Sequence, residues 1–346
     1  MTQSYRGWVK ANAEIGRLAV AASAAAAIGG LAVLPASPES HGALMAYAAV
    51  PLLVSGVLLH MIPSYSKKAA HPALPALILA ALPLIALYPR LYLALHSAAM
   101  ATAALYSMLP LRRTHYYQKI LIVSSYLAAL EAALLPLPET LAALAALHAL
   151  ASGIIFAVNT TALTYTYGEK PRGPLSLPLA VLHLAAPPLL LASPQLFQAA
   201  VLAELALYAG LVKMDAAGRW VSFARGLREP ARSAQLNLAY SSLAAAALYP
   251  LWAIQHPGLR ALHLLAFGFI TLNVAAHGPV MLNLIFRLGP ARPSPLPPIL
   301  FAAATLVKAA YPMPGCILYI AGALLFAASL LQGRLRGRVA KKRADA

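Results

Sequence analysis

The chain has 346 residues, of which 61% are hydrophobic and only 10% are charged. A soluble domain carries about 25% charged residues, so this composition excludes a soluble protein and indicates a polytopic membrane protein. The net charge of +17 does not indicate nucleic-acid binding, because the charges lie between apolar segments instead of on one face of a soluble fold. The single cysteine, Cys316, excludes disulfides and CxxC metal sites, so any metal must use histidine.

Twelve apolar segments follow one another along the chain, and a helix needs about 20 such residues to cross a bilayer. Prolines with polar neighbours mark the turns between them, since proline cannot continue a helix without losing a hydrogen bond. The sequence therefore predicts an all-α fold, a single transmembrane domain over residues 1–346 with helices at about 15–34, 41–63, 72–88, 91–110, 117–136, 139–166, 175–192, 195–213, 234–254, 259–287, 295–310 and 312–333.

The basic residues indicate how these helices are oriented. Lysines and arginines concentrate on alternate connections, including both termini, and only Arg90, Arg260 and Lys308 fall on the opposite side. Cytoplasmic loops of membrane proteins carry an excess of these residues. We therefore predict a multi-pass protein of the cell membrane with both termini in the cytoplasm.

The segment Gly258–Leu288 is apolar enough to span a membrane, yet it carries His263 and His277. Ionisable groups inside spans are rare, usually face the protein interior and are usually functional. Because the two histidines are fourteen residues apart, an α-helix separates them by about 40° around its axis and about 21 Å along it. We expect both to face one bundle at different depths.

The histidines within the predicted spans form two tiers. The outer tier, near the outer face, consists of His41, His96 and His263. The inner tier, nearer the middle or the inner half, consists of His148, His183 and His277. Imidazole binds haem iron, copper and zinc alike, and a neutral imidazole hydrogen-bonded to a neighbour is the structural alternative. Haem b needs only one or two histidines at matching heights on facing helices, whereas copper needs two or three together, and the tiers alone do not decide between them. The inner tier predicts a separate site if a second metal is bound.

Two acids, Glu131 and Glu204, also lie within predicted spans. A carboxyl group in apolar surroundings is expected to be protonated or paired, so both are candidates for a proton relay. A hydrogen bond between packed helices explains them equally well.

Two stretches of the chain resemble the NnrS family of membrane proteins. The first, His41 to Tyr65, has a methionine four residues after the histidine and ends in Gly-x-Leu-Leu-x-x-x-Pro-x-aromatic. The second, Leu262 to Pro293, has His263 and Gly268 near its start and ends in LGPARP, similar to the family's Leu-Gly-His-Thr-Gly-Arg-Pro. The resemblance implies haem and copper cofactors and a role linked to nitric oxide.

The chain departs from the family pattern at three places. Ala43 and Leu44 stand where a His-Glu pair is expected, and Pro290 replaces the histidine of the Leu-Gly-His run. The arginine expected in the interior of the tenth predicted helix is absent, since the arginines of this span, Arg260 and Arg287, lie at its two ends. The resemblance therefore supports haem at His41 and His263 more than it supports copper.

The large subunit of haem-copper oxidases is similar to this chain in layout only. It also has twelve helices, and its ligands lie on the second, sixth, seventh and tenth, which correspond here to the spans of His41, His148, His183, His263 and His277. The adjacent His-His pair and the His-x-His motif that it needs are absent. Oxygen reduction by that mechanism is not expected.

Three functions remain open. The first is a protein that binds non-covalent b-type haem, with copper as a further candidate, in electron transfer or nitric oxide handling. His41 and His263 are its predicted axial ligands, His96 is the alternative ligand, and Arg260 would pair with a propionate. Its partners would be the bilayer and a redox protein or quinone.

The second function is a proton-coupled secondary transporter that uses the buried acids. The third is a subunit without chemistry in a redox complex, so the sequence does not decide whether the chain is an enzyme.

Overall fold

A computed structural model of the chain describes residues 3–66, 69–108, 116–167, 170–212, 259–286, 296–310 and 312–344. Within these ranges every regular element is helical, which confirms the all-α prediction. The chain divides into two compact units, one of residues 1–164 and 169–212, the other of residues 165–168 and 213–346. The prediction of a single transmembrane domain stays a prediction.

The first unit consists of nine α-helical elements in the described residues, and α2 and α3 are continuous through a π-helical segment, Leu44–Ala49. The elements are α1 (Gln3–Val33), α2 (Pro38–Ala43), α3 (Val50–Ser66), α4 (Ala73–Ala80), α5 (Pro89–Met108), α6 (Tyr116–Leu134), α7 (Glu139–Tyr167), α8 (Ser176–Ala192) and α9 (Pro194–Leu211). Short 3₁₀ turns, Leu82–Ala86 and Gly173–Leu175, follow α4 and precede α8. The last residues of α7 belong to the second unit.

The second unit has a similar opening element. Helix α10 (Leu259–Leu264) continues through a π-helical segment, Leu265–Ile270, into α11 (Thr271–Phe286). Helices α12 (Leu296–Ala310) and α13 (Pro312–Ala344) then pack along each other. A small apolar core joins α11 to this pair, and it includes Leu272, Ala275, Phe301, Tyr319 and Phe326.

The described residues form eleven helices when the two continuous pairs are each counted once. The predicted count of twelve is therefore not supported, and the predicted span 234–254 lies outside the described residues. The other predicted spans coincide with helices or with a helix and its adjoining turn. Five described helices are long and apolar enough to cross a membrane: Arg6–Val33, Glu39–Met61, Glu139–Val158, Gly173–Ala192 and Pro314–Leu331.

Each π-helical segment has a local cause. Pro51 lacks an N–H group and its ring would clash with the carbonyl four residues back in a regular α-helix, and the wider π turn just before it relieves this clash. In the second unit, the hydroxyl of Thr271 donates to the carbonyl of Ala266, five residues back, at 2.8 Å. The two segments begin three residues after His41 and two residues after His263, so both histidines precede a rare element that is frequent at functional sites.

Helices α1 and α3 are in backbone contact at two glycines. A Cβ atom on Gly16 would lie 2.8 Å from the carbonyl oxygen of Gly56, and one on Gly56 would lie 2.6 Å from Cγ2 of Val20. Small residues at such positions let helix backbones approach closely. This contact holds α3, and with it Ser55, against the rest of the first unit.

Candidate functional site

The first unit buries a carboxyl group between two imidazoles. Oε2 of Glu204 lies 2.9 Å from Nε2 of His148 and 3.4 Å from Nε2 of His183. The side chains of Glu204 and His183 are 0% exposed and that of His148 is 4% exposed. Two imidazoles in contact with one carboxyl oxygen, away from water, can exchange a proton with it directly. We call these three residues the His–Glu–His cluster.

Three consecutive helices, α7, α8 and α9, supply the cluster, and an aromatic side chain closes one side of it. His148 and Phe156 are eight residues apart and share a face of α7, as Glu204 and Tyr208 share a face of α9. The ring of Phe156 stacks on His183 and on Tyr208, with centroid distances of 5.9 and 3.9 Å. This packing covers one side of His183 with an apolar ring.

Two serine hydroxyl oxygens face the ring nitrogens of His183 and can accept hydrogen bonds from them. Ser152 donates to the carbonyl of His148 at 2.6 Å, and Ser124 donates to a carbonyl of its own helix at 3.0 Å, so the two oxygens are left to accept. Oγ of Ser152 lies 3.1 Å from Nε2 of His183, and Oγ of Ser124 lies 3.4 Å from Nδ1. Both ring nitrogens face acceptors, which suits an imidazolium paired with the carboxylate of Glu204.

A second proton distribution fits the same distances. If Oε2 of Glu204 holds the proton in place of Nε2 of His183, the neutral His183 keeps its other proton on Nδ1, toward Ser124. Nε2–H of His148 donates to Oε2 in both distributions. Both distributions are uncharged overall and differ in where one proton sits. Oε1 of Glu204 is buried and has no hydrogen-bond partner among the described residues, which is unusual for a buried polar atom. The cluster therefore suits a proton that changes place.

Gly153 gives the cluster its close packing. A Cβ atom at this position of α7 would lie 1.6 Å from Oγ of Ser125 and 3.0 Å from Cε1 of His183. Only the absence of a side chain lets α6 and α8 approach α7 this closely. Gly153 therefore holds the imidazole of His183 within reach of Ser152 and Glu204.

Two prolines weaken α8 beside the cluster. Pro187 and Pro188 lie inside this helix, four and five residues after His183. A proline has no N–H group, so the carbonyl of His183 loses the donor that a regular α-helix would supply from residue 187. Helices bend at such points. His183 is thus the member of the cluster whose backbone is the least constrained by its own helix.

A separate network in the first unit engages His96. Nε2 of His96 lies 2.8 Å from Oγ of Ser55, which lies 2.7 Å from the hydroxyl of Tyr126, and Nδ1 of His96 lies 3.2 Å from the hydroxyl of Tyr92. Tyr92 donates to the carbonyl of Ile78 at 3.2 Å. All four side chains are 0% exposed. We call them the His96 network.

The carbonyl of Ile78, at one end of the His96 network, determines which group donates in each hydrogen bond. Because Tyr92 gives its only proton to Ile78, it must accept from Nδ1–H of His96. Nε2 of His96 must then accept from Ser55, and Ser55 must accept from Tyr126. Both nitrogens of His96 are therefore occupied, and a metal could bind this histidine only after one of these hydrogen bonds breaks.

The two predicted axial haem ligands lie in different units. His41 belongs to α2 in the first unit, and its Nδ1 donates to the carbonyl of Gly30 at 3.0 Å. His263 belongs to α10 in the second unit and is half-buried. The side chains of Arg260 and His277 lie outside the described part of the chain. Their predicted roles beside the haem and in the inner metal site stay predictions.

The inner tier was predicted to combine His148, His183 and His277. In the structure, His148 and His183 instead share a contact with Glu204. Both imidazoles approach the carboxyl oxygen itself. In the described ranges, no group of three or more histidine, cysteine, aspartate or glutamate side chains could hold a metal ion. Glu131, the other predicted relay acid, is half-buried on α6, about 10 Å along the axis from Ser124.

The residues that surround these histidines were not predicted from the sequence. Ser124 and Tyr126 lie two residues apart in α6 and serve the two different networks, and Ser152 and Gly153 are adjacent in α7. The sequence signal that could have identified them is the presence of these two pairs of small or polar residues inside otherwise apolar spans. Such residues in membrane helices commonly mark close helix contacts.

A scan against family models, a search of curated proteins and a search of solved structures found no match to this chain. The resemblance to the NnrS family stays a prediction. The structure by itself defines a class: an all-helical protein whose described residues include five apolar helices of membrane-spanning length. The first unit of this protein carries a buried acid–base cluster.

Proposed function

We propose that this chain is a multi-pass protein of the cell membrane that couples its activity to protons, as a secondary transporter does. The His–Glu–His cluster is its proton-binding site. The observation that carries this proposal is the single carboxyl oxygen of Glu204 in contact with two buried imidazoles. Ionisable groups at membrane depth are costly, and they mark ion and proton pathways in pumps and transporters.

The chemistry of the site is a proton transfer between oxygen and nitrogen. In one state Glu204 holds the proton and His183 is neutral, and in the other His183 holds it and pairs with the carboxylate. A change in the position of His183 relative to Glu204 would favour one state over the other. Pro187 allows this change, because it frees the carbonyl of His183 from the helix ladder. In secondary transporters such sites are typically formed by discontinuous helices, whereas α8 continues through its prolines to Ala192.

The proposal predicts that Glu204 carries a proton in one of the two states, and that this proton can be observed. In infrared difference spectra recorded across a pH titration, the wild-type protein should show a buried carboxyl band that Glu204→Gln removes. Glu131→Gln is the matched control, since Glu131 lies on a neighbouring helix and outside the cluster. His148→Gln should shift the frequency of the band, because it replaces the imidazole that lies 2.9 Å from Oε2 of Glu204. If Glu204→Gln leaves the carboxyl bands of a folded protein unaltered, the cluster is not the proton site.

Haem binding is the second candidate, and the geometry of His41 favours it. Haem-ligating histidines usually donate one ring N–H to a carbonyl or carboxylate, which fixes the ring and directs the other nitrogen to the metal. Nδ1 of His41 donates to Gly30 in this way. His41 therefore fits an axial ligand, and a bound haem would supply electron transfer or nitric oxide binding. The second ligand, predicted to be His263, stays a prediction.

The haem proposal predicts a loss of bound haem when His41 is removed. The visible spectrum of the purified wild-type protein should show a Soret band. His41→Ala should lower the haem content at least tenfold, since loss of only the hydrogen-bond partner of a metal ligand already costs about 10–100-fold in metal affinity. His71→Ala is the control, because His71 is exposed and donates to no carbonyl in the described structure. A wild-type protein expressed with haem available and purified without a Soret band would refute this candidate.

A further inference from the structure

The last helix is longer than a membrane requires. Its apolar part, Pro314–Leu331, has 18 residues and is about 27 Å long, close to the roughly 30 Å hydrocarbon core of a bilayer. Large apolar side chains along this part are strongly exposed, including Ile317 at 61%, Leu324 at 67% and Leu331 at 60%. An exposed apolar surface of this length fits a surface in contact with lipid tails. Leu331 therefore marks one boundary of the hydrocarbon layer.

Helix α13 does not end at that boundary. It continues to Ala344, which carries the chain about 20 Å further. The extension contains six basic residues and no acid: Arg334, Arg336, Arg338, Lys341, Lys342 and Arg343. A helix C-terminus also favours cations, because its free carbonyl groups carry partial negative charge.

The six basic residues fall into two groups by their distance from the boundary. The near group, Arg334, Arg336 and Arg338, lies about 5–11 Å beyond Leu331 along the axis. The far group, Lys341, Lys342 and Arg343, lies about 15–18 Å beyond it. A headgroup layer is about 5–8 Å thick, and salt screens charges over about 8 Å. The near group is thus level with the headgroups, and the far group is largely screened from them.

We propose that the near group binds the headgroups of anionic lipids and that the end of α13 is a lipid-selective surface. This inference rests on the membrane location in the proposed function and is independent of the proton site. Basic clusters directly beyond a membrane helix attract anionic lipids, and each charge near the surface strengthens the attraction about fivefold. Guanidinium groups also bind phosphate with two parallel hydrogen bonds.

Spin-labelled lipids test the proposal in the full-length protein. In nanodiscs, the fraction of motionally restricted label should be larger for phosphatidylglycerol than for phosphatidylcholine with the wild-type protein. The near triple variant, Arg334→Gln, Arg336→Gln and Arg338→Gln, should lose this preference, by about fivefold per arginine. The far triple variant, Lys341→Gln, Lys342→Gln and Arg343→Gln, removes the same charge and should retain most of it.

Two results would overturn the lipid proposal. One is an equal motionally restricted fraction for spin-labelled phosphatidylglycerol and phosphatidylcholine around the wild-type protein. This result would indicate an acidic protein as the partner of the end of α13. The other is an equal loss in both triple variants, which would show that net charge matters and position does not. Glu204→Gln should leave the lipid preference unchanged, so a failure of the proton site is distinct from a failure here. A protein that does not insert into nanodiscs would refute the membrane location and the lipid proposal together.

Discussion

Replacing Gly153 by valine is expected to destabilise the first unit by about 3 kcal/mol, because overpacking a well-packed core costs about 1–3 kcal/mol and the contact here is severe. Even the first added atom would lie 1.6 Å from Oγ of Ser125 and 2.9 Å from its Cβ. Rotation of the serine hydroxyl relieves only the first of these clashes. Helices α6 and α7 must therefore move apart, and the contacts of His183 are lost with them.

The unfolding midpoint in detergent, followed by circular dichroism, measures this effect. Gly153→Ala should show a smaller loss, and Ser125→Gly in the same chain should restore much of it, because that change removes both clashing atoms. Gly42→Ala is the control, since nothing lies within 4 Å of the atom that it adds. A Gly153→Val protein as stable as the wild type would show that α6 and α7 are not packed as described.

Replacing His96 by leucine is expected to lower the free energy of unfolding by about 3–5 kcal/mol. The change leaves the hydroxyl of Ser55 without its acceptor and removes the donor to Tyr92, and each unsatisfied buried group costs about 1–3 kcal/mol. Lost packing in a site that is 0% exposed adds to this cost.

The donor order in the His96 network predicts a graded series. Tyr126→Phe removes the terminal donor only and leaves no donor unsatisfied, so it should cost about 0.5–1.5 kcal/mol. Ser55→Ala should cost more, because it leaves both the hydroxyl of Tyr126 and Nε2 of His96 unpaired. Unfolding midpoints of the three variants measure the order. Equal losses for Tyr126→Phe and His96→Leu would contradict the donor assignment.

Much of the helical architecture could be predicted, because it depends on local and additive properties. Apolar runs of membrane length, interrupted by proline and charge, place the ends of helices such as α5, α7 and α8 within a few residues of their structural positions. The extension of α13 to Ala344 was not predicted. The hydropathy pattern ends with the apolar run, whereas arginine and lysine remain good helix formers.

The sequence predicted the helical class, the apolar helices and the position of each buried ionisable residue along its helix. It grouped His148 and His183 with His277 and gave Glu204 separately as a relay candidate, since each interrupts an apolar run. Tertiary packing brings His148, His183 and Glu204 together and places Nδ1 of His96 beside Tyr92. Depth follows from position along a helix, but a contact also depends on which helices are neighbours and how each is rotated. Close approaches set that rotation, such as the contact of Gly153 with Ser125, and they arise from packing between segments that are distant in the sequence.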